Sequence, residues 1–418
     1  SLSLLGELTQ VGSEITTTRQ HFKTLSERLG CSLVKQSVQD VLQSLETQAQ
    51  HAIDILVRNL FERTADIGFL ATDLPLTQAL GQPPCPAVAQ RMHSYVSKYS
   101  VYRNLALIKP DGTLHQDLRG EYSEQDKACW LIDAVQRSTK AYVERHGPLL
   151  DKDARASKDM GLIYAWKVEQ GKRLVGYVAL EFDLQGESET LFSKVLGHNQ
   201  TGAAEGTELN WAVCGIVDSA YRVLSSSDTH HVPPGLQLKW PSNTHWGVIQ
   251  IGPMAYLGSL KPTRGYQGYQ GPGWMGFSLM PINQAFAPRA CAQHSQTPRH
   301  IELRASLLGE EVIDHQRQAE HIQGRLNRSV WNGNIQQRES SLGLGSGFSK
   351  TLLWEISRAG ERTRQLFEHT LSELNDRTIA LELIEQRHCA MLAVDLLDRN
   401  LYERANDCRW WADTPILA

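Results

Sequence analysis

The sequence predicts an α+β fold: a long N-terminal helix packed on two tandem antiparallel-sheet modules, with a C-terminal helical region. Three observations carry this reading. Residues 35–70 hold an apolar stripe at helical spacing. Two strand-rich stretches follow, set off by Pro- or Gly-rich seams. The chain then returns to helical texture, and "RNLYERANDCRWWADT" (399–414) nearly repeats "RNLFERTADIGFLATD" (58–73).

The stripe of the first region, residues 1–80, consists of Val38, Val41, Leu42, Leu45, Ala49, Ile53, Leu56, Leu60 and Ile67. These recur mostly at spacings of three and four, so they share one helix face. Asp54, Arg58 and Glu62 form an i,i+4 ladder of alternating charge on the wetter side, about 0.3–0.5 kcal/mol per pair. The second copy repeats it as Asp395, Arg399 and Glu403. Aligned without a gap, residues 52–73 and 393–414 share ten identities in 22 positions, Asn59/Asn400 and Asp66/Asp407 among them. Similarity between unrelated amphipathic helices would keep the stripe but not these polar positions. Two readings of the repeat stand open. Either residues 393–414 begin a second unit whose β part is not in this chain, or they form a return helix packed on the first copy. Proximity of Asn59 and Asn400 distinguishes them.

"GQPPCP" (81–86) breaks the helix, because its prolines have no N–H to donate. The first β-rich module is assigned to residues 81–198. "YRNLALIKPDGTL" reads as strand, PDG turn, strand. "DKACWLIDAVQRSTKAYVERHG" is a helix running into a short strand. "MGLIYAWKVEQGKRLVGYVALEFDL" is a hairpin about Gln170–Gly171. Hairpins around a helix indicate α+β rather than βαβ architecture. A Gly-rich linker, 197–208, leads to the second module, residues 199–290. There "LNWAVCGIVDSAYRVLSSSD" turns at Asp218–Ala220, and "HWGVIQIGPMAYLGSL" and "GWMGFSLMPI" continue the strands. Residues 291–418 are the helical region that ends in the repeat.

Composition narrows the function. No run of about 18 apolar residues reads as a transmembrane helix. A net charge of −4, with both signs mixed, argues against a nucleic-acid partner. The seven cysteines are scattered without a CxxC, which argues against a thiolate zinc site and suits a reducing compartment. A cytoplasmic location follows, with a periplasmic sensor fragment as the alternative. No GxSxG elbow, HExxH or dinucleotide-binding loop is present. The expectation is a non-enzyme without metal or cofactor.

"YSVYRNLALIKPDGTL" and "LIYAWKVEQGKRLVGYVALEFDL" carry a resemblance to the Cache sensor domains, relatives of the PAS fold. The wider order, long helix then two β modules over residues 35–290, is similar to the double Cache (PAS-like) sensor region of bacterial chemotaxis-type signalling proteins. The resemblance implies two tandem PAS-like sheets on one long helix, a small ligand in the first, and a signalling output outside these residues. In amino-acid-sensing members a Tyr, four residues, then Arg-x-Trp-Tyr grips the ligand carboxylate. Here "YSEQDKACWL" keeps Tyr122 and Trp130. Lys127 stands at the arginine position, the spacing is one residue longer, and Leu131 replaces the last Tyr.

The candidate ligand contacts in the first module are Tyr102, Arg103, Lys127, Trp130, Tyr142, Tyr164 and Trp166. Tyr164 and Trp166 are two apart and share a strand face. A possible second pocket is "RGYQGYQGPGWMG", with Tyr266, Tyr269 and Trp274 as aromatic walls and Arg264 as an anion clamp; a glycine-kinked loop packed on the sheet is the competing reading. The expected partners are a small-molecule ligand of unknown identity, a second copy in a homodimer, and a downstream signalling domain or protein. The alternative is a helical dimerisation scaffold whose sensor folds bind no small ligand.

Overall fold

A computed structural model describes residues 2–99, 101–120, 126–151, 161–171, 173–196, 211–241, 244–286 and 346–412, with isolated positions between 317 and 324. The chain divides into two units, residues 1–43 with 286–387, and residues 44–285 with 388–418. Helix α1, Leu2–Leu70, and helix α7, Ser346–Ala412, each run through both. The helical pattern that reads clearly from residue 35 thus begins at Leu2. The first unit is described only through these two helices and the isolated positions. No helix among the described residues is long and apolar enough to cross a membrane.

The second unit holds two five-stranded antiparallel sheets. In the first, β1 (Tyr102–Ile108), β2 (Leu114–Asp117), β3 (Tyr142–Gly147), β4 (Gly161–Gln170) and β5 (Arg173–Phe182) lie in the order β2-β1-β5-β4-β3. In the second, β6 (Val213–Val217), β7 (Val223–Ser226), β8 (Trp246–Ile251), β9 (Met254–Pro262) and β10 (Met275–Pro281) lie in the order β7-β6-β10-β9-β8. Numbered within each module, both orders are 2-1-5-4-3, so the second sheet repeats the topology of the first.

The turns form where the sequence placed them. Gly112 takes φ +80° after Asp111, whose carboxylate accepts from both the N–H and the hydroxyl of Thr113. Asp218 does the same for the β6–β7 turn, accepting from the N–H groups of Ala220 and Arg222. The "GQPPCP" seam separates α2 (Leu74–Ala79) from α3 (Pro86–Val96), and Pro86 opens α3, where a missing N–H costs nothing. α4 (Cys129–Arg137) lies between β2 and β3. Helix α5 (Leu184–Val195) follows β5; the Asp183 side chain caps it by accepting from the N–H of Gly186 at 3.3 Å. A short helix α6, Ile282–Ala285, follows β10.

Helix α1 meets the second sheet first. Lys261 pairs with Glu46 at 2.8 Å, and the Ser278 hydroxyl donates to Gln48 at 2.8 Å. At Gly276 the approach is so close that a Cβ would collide with the Ala49 carbonyl oxygen. One to two turns on, Thr263 and the N–H of Arg264 donate to Asp54, at 3.1 and 2.9 Å. The last turns reach the first sheet, where Tyr102 donates to Asp66 and the Trp166 ring lies against Gly68. The stripe residues Leu45, Ala49, Ile53, Leu56, Leu60 and Ile67 are all buried.

The repeat packs on itself. Arg399, beside Asn400, donates to Asn59 at 3.0 Å; Arg63 pairs with Glu403 at 3.3 Å and Arg404 with Glu62 at 2.8 Å. The second copy is therefore the return helix beside the first. Arg63 is 2% exposed and also pairs with Asp66 at 3.4 Å and lies over the Tyr102 ring. Burial alone would lower its pKa, but Tyr102, Asp66 and Glu403 around it push the pKa up, so it stays cationic.

Candidate functional site

The two faces of the first sheet differ in chemistry. The face toward α1 carries Leu105, Leu107, Leu162, Tyr164, Val178, Leu180 and Phe182, an apolar set that buries the helix stripe. The other face carries Ala106, Ile108, Ile163, Ala165, Tyr177 and Ala179, which pack with Ala128 and Leu131 of the α4 segment and with Leu149 and Leu150. Three of these are alanines, so the α4 segment packs close to the strands here.

Polar groups stand on that face as well. Asn104 and Glu181 are cross-strand partners, as are Glu181 and Ile163, and Ile163 and Arg145. One row of the sheet thus reads Asn104, Glu181, Ile163, Arg145. Asn104 and Glu181 are buried, and the Nδ2 of Asn104 has no hydrogen-bond partner among the described residues. Neighbouring strands are about 4.8 Å apart, so Glu181 and Arg145, two strands apart, can bracket one small molecule. Both lean over glycines. A Cβ on Gly161 would lie 2.8 Å from Glu181, and one on Gly147 would lie 3.5 Å from the Nε of Arg145. Gly147 and Gly161 pair with each other across β3 and β4.

The Arg145 guanidinium stacks over the Trp130 ring, 4.6 Å from its centroid. Its Nη1 is buried without a hydrogen-bond partner among the described residues. Trp130 is held in place by its indole N–H, which donates to the Leu149 carbonyl at 2.8 Å. The Cys129 N–H at the start of α4 donates to Asp151 at 2.6 Å, and the Asp151 N–H donates to the Lys127 carbonyl at 2.8 Å, which ties α4 to the chain after β3. Trp130 of α4 and Arg145 of strand β3 are thus brought together from separate elements. The result is an unsatisfied guanidinium nitrogen and a buried carboxylate above small residues, under an aromatic lid.

The sequence candidates fall into separate places. Trp130 lies on this face. Lys127 is exposed and its backbone bridges to Thr113. Tyr102, Tyr164 and Trp166 face α1. Tyr142 shares their side of β3–β4 and stacks on Trp166 at 6.5 Å. Arg103 is half-buried beside Tyr102. Tyr122 lies outside the described residues. Asn104, Arg145 and Glu181 are not among the sequence candidates. A usable signal was present in "VALEF" (178–182), where Glu181 interrupts an apolar strand, because a fully buried Glu is rare.

The glycine and aromatic segment 264–274 packs across both modules and α1. Arg264 is exposed and lies 3.9 Å from Asp54. Tyr266 meets Phe61 edge-on at 5.3 Å and lies under Arg58. Tyr269 donates to Glu144 at 2.6 Å. Trp274 is buried against His146, edge-on at 5.5 Å. A Cβ on Gly271 would touch Val57 at 3.0 Å. These contacts match the loop-packing reading of the motif. Among the described residues no group of three His, Cys, Asp or Glu could hold a metal, and the six described cysteines are unpaired.

Burial lowers the His146 pKa below its ordinary value; Asp218 opposes this weakly. The unfolded chain therefore binds a proton here that the folded chain refuses. Stability should hold above about pH 6.5 and fall as the pH drops toward the folded-state value. Melting curves from pH 8 to pH 5 should show this fall, and His146→Phe should flatten it.

A long helix under two sheets of identical strand order gives the architecture a specific shape. Two five-stranded sheets beside one long helix are the plan that the Cache resemblance implies. Among solved structures, the chain is similar to the Vibrio cholerae histidine kinase DctB sensor domain, at 12% identity, TM-score 0.41, covering 57% of this chain and 95% of that one. It is also similar to the ligand-binding domain of the Pseudomonas fluorescens chemoreceptor CtaA in complex with L-isoleucine, at 13% identity, TM-score 0.41, covering 59% and 95%. A third is the ligand-binding domain of the Pseudomonas aeruginosa chemoreceptor PctC in complex with GABA, at 17% identity, TM-score 0.38, covering 56% and 96%. No protein-family profile and no curated protein matches the sequence.

Proposed function

We propose that the chain is a non-catalytic small-molecule sensor module of a bacterial signalling protein, and that the α1-distal face of its first sheet binds a small zwitterion of the amino-acid class. The observation that carries this is the juxtaposition of Arg145, stacked on Trp130 with a buried Nη1 that has no partner among the described residues, and the buried Glu181 across two facing glycines. A guanidinium grips a carboxylate in a planar fork, while a carboxylate such as that of Glu181 accepts from an ammonium group. A ligand without a carboxylate would leave the buried guanidinium nitrogen unsatisfied, which costs far more than apolar contact returns.

Binding reaches α1 through the same strands. Asn104 and Tyr102 are two residues apart on β1, and Glu181 and Phe182 are adjacent on β5. Tyr102 holds Asp66 of α1. A ligand that draws Asn104 and Glu181 together shifts the strand ends that grip the helix. It biases helix packing only by its differential affinity for the two arrangements.

The test is a thermal-shift screen of the common L-amino acids and GABA, followed by calorimetry. A ligand at about 100 times its Kd contributes about 2.7 kcal/mol, or roughly 5–10 °C in melting temperature for a domain of this size. Arg145→Ala should abolish the shift and Glu181→Gln should reduce it. If no zwitterion raises the melting temperature, the sensor reading fails and the helical scaffold reading takes its place.

A further inference from the structure

The two copies of the repeated phrase do more than touch. Among the described residues, six of α7 make side-chain polar contacts to α1, α5 or the segment joining α3 to β1. Asp395 reaches Lys194 at 3.4 Å, and Arg399 reaches Glu187 at 2.8 Å and Asn59 at 3.0 Å. Glu403 holds Arg63, Arg404 holds Glu62, and Asp407 accepts from Tyr99 at 3.1 Å. The amide of Asn406 donates to the Lys98 carbonyl at 3.3 Å. Five of these six are identical in α1, as Asp54, Arg58, Glu62, Arg63 and Asp66; only Asn406 differs, standing where α1 has Ala65. Five of the ten identities of the repeat are thus contact positions in α7.

The pairing is also reciprocal. Arg63 with Glu403 and Arg404 with Glu62 are the same arginine–glutamate pair, read once from each copy. The numbers of contacting residues differ by 340 or 342, either side of the 341 that separates Arg58 from Arg399. The helices therefore run parallel and in register about a local two-fold axis, the arrangement of two identical helices in an isologous pair.

A third observation concerns the outer side of α7. Ile53, Leu56 and Leu60 of α1 are buried. Their counterparts Val394, Leu397 and Leu401 are 66%, 62% and 61% exposed. α7 presents a stripe that, in the first copy, lies buried beneath the unit's own β modules.

We propose that the α1 face around Asn59, Glu62 and Arg63 is a homotypic docking surface, and that α7 occupies in cis the place of α1 from a second copy of this chain. An α1 helix arriving in trans would bring the same arginine and glutamate to the same partners. Its apolar stripe would face outward carrying its own sheets, where α7 is bare. The cis copy wins because it is tethered, at an effective concentration that a free second chain does not match. Weakening α7 leaves Arg63 short of a carboxylate in a buried setting, and Glu62 of another chain restores it. This inference stands apart from the ligand reading.

Arg404→Glu in the full chain tests it. The substitution sets a second carboxylate against Glu62 in cis and leaves both arginine–glutamate pairs of an α1–α1 dimer intact. Light scattering across a dilution series should show the wild type at the one-chain mass of 46.8 kDa. Arg404→Glu should dimerise at least tenfold more tightly. The charge-swapped double variant Glu62→Arg with Arg404→Glu rebuilds the cis pair and spoils the trans pair, and should return to one chain. Equal masses for wild type and Arg404→Glu at every concentration overturn the proposal, as does a double variant that dimerises like the single one. If Arg404→Glu does not fold, Arg404→Ala should move the mass in the same direction, and its failure to do so overturns the proposal equally.

Discussion

Arg63→Ala should destabilise the protein by about 3–5 kcal/mol, the cost of stranding buried charges once their partner is removed. Arg63 is among the largest fully buried side chains, and three groups depend on it: Asp66, Glu403 and the Tyr102 ring. Without the guanidinium, the carboxylate of Asp66 faces Glu62 and Asp407 with only the Tyr102 hydroxyl to support its charge. Burial already raises the Asp66 pKa in the intact protein, against the pull of Arg63, and its loss raises it further. The sign of the pH effect follows. A raised folded-state pKa favours folding at low pH and disfavours it as pH rises through that value. The penalty of Arg63→Ala should be full at neutral pH and shrink toward pH 4, the ordinary aspartate range. Denaturant unfolding of both proteins across that interval checks it. A uniform penalty at all pH values would show that lost packing, rather than stranded charge, sets the cost.

The second large effect is expected at Gly276. This glycine has an ordinary extended backbone, so its role is space alone. A Cβ there meets the Ala49 carbonyl oxygen and, at 3.1 Å, the Ile53 side chain. A helix backbone cannot yield at one carbonyl without breaking its own ladder, so Gly276→Val must push α1 off β10. We expect a loss of about 3 kcal/mol or more, at the upper end of overpacking effects. The displacement should also break the Gln48–Ser278 hydrogen bond and expose Cys214, whose thiol lies 3.6 Å from Ser278 and whose pKa burial pushes up to about 12. Thiol labelling of Cys214 should thus be slow in the wild type and fast in Gly276→Val, with Gly276→Ala intermediate. Unchanged labelling in a folded Gly276→Val would show that the helix does not lean on this strand.

Much of this architecture was legible because the signals were local. A Pro-rich seam, a PDG turn, a Gln170–Gly171 turn and alternating strand residues act within a few positions of themselves. The apolar stripe of α1 announced its buried face for the same reason. The site was harder. Tyr164 and Trp166 were correctly placed on one strand face, but alternation does not say which face meets the helix and which meets the α4 lid. Arg145 and Glu181 sit 36 residues apart in sequence and act together only because β3, β4 and β5 are neighbours in the sheet. The glycine–aromatic loop advertised unusual chemistry, yet its partners Phe61, Glu144 and His146 come from α1 and β3.

The sequence by itself determined the two long helices, most of the strands, their order and the existence of the repeat, since each is written in short-range periodicity or in identity between two segments. The tertiary structure decided three things: that both sheets share one strand order, that the charged row on the first sheet faces away from α1, and that the repeated phrase pairs with itself in register. Each of these rests on which segments become neighbours. That is settled by burying one continuous stripe against two sheets, and by placing Arg63 where a second copy of its own phrase supplies the matching glutamate.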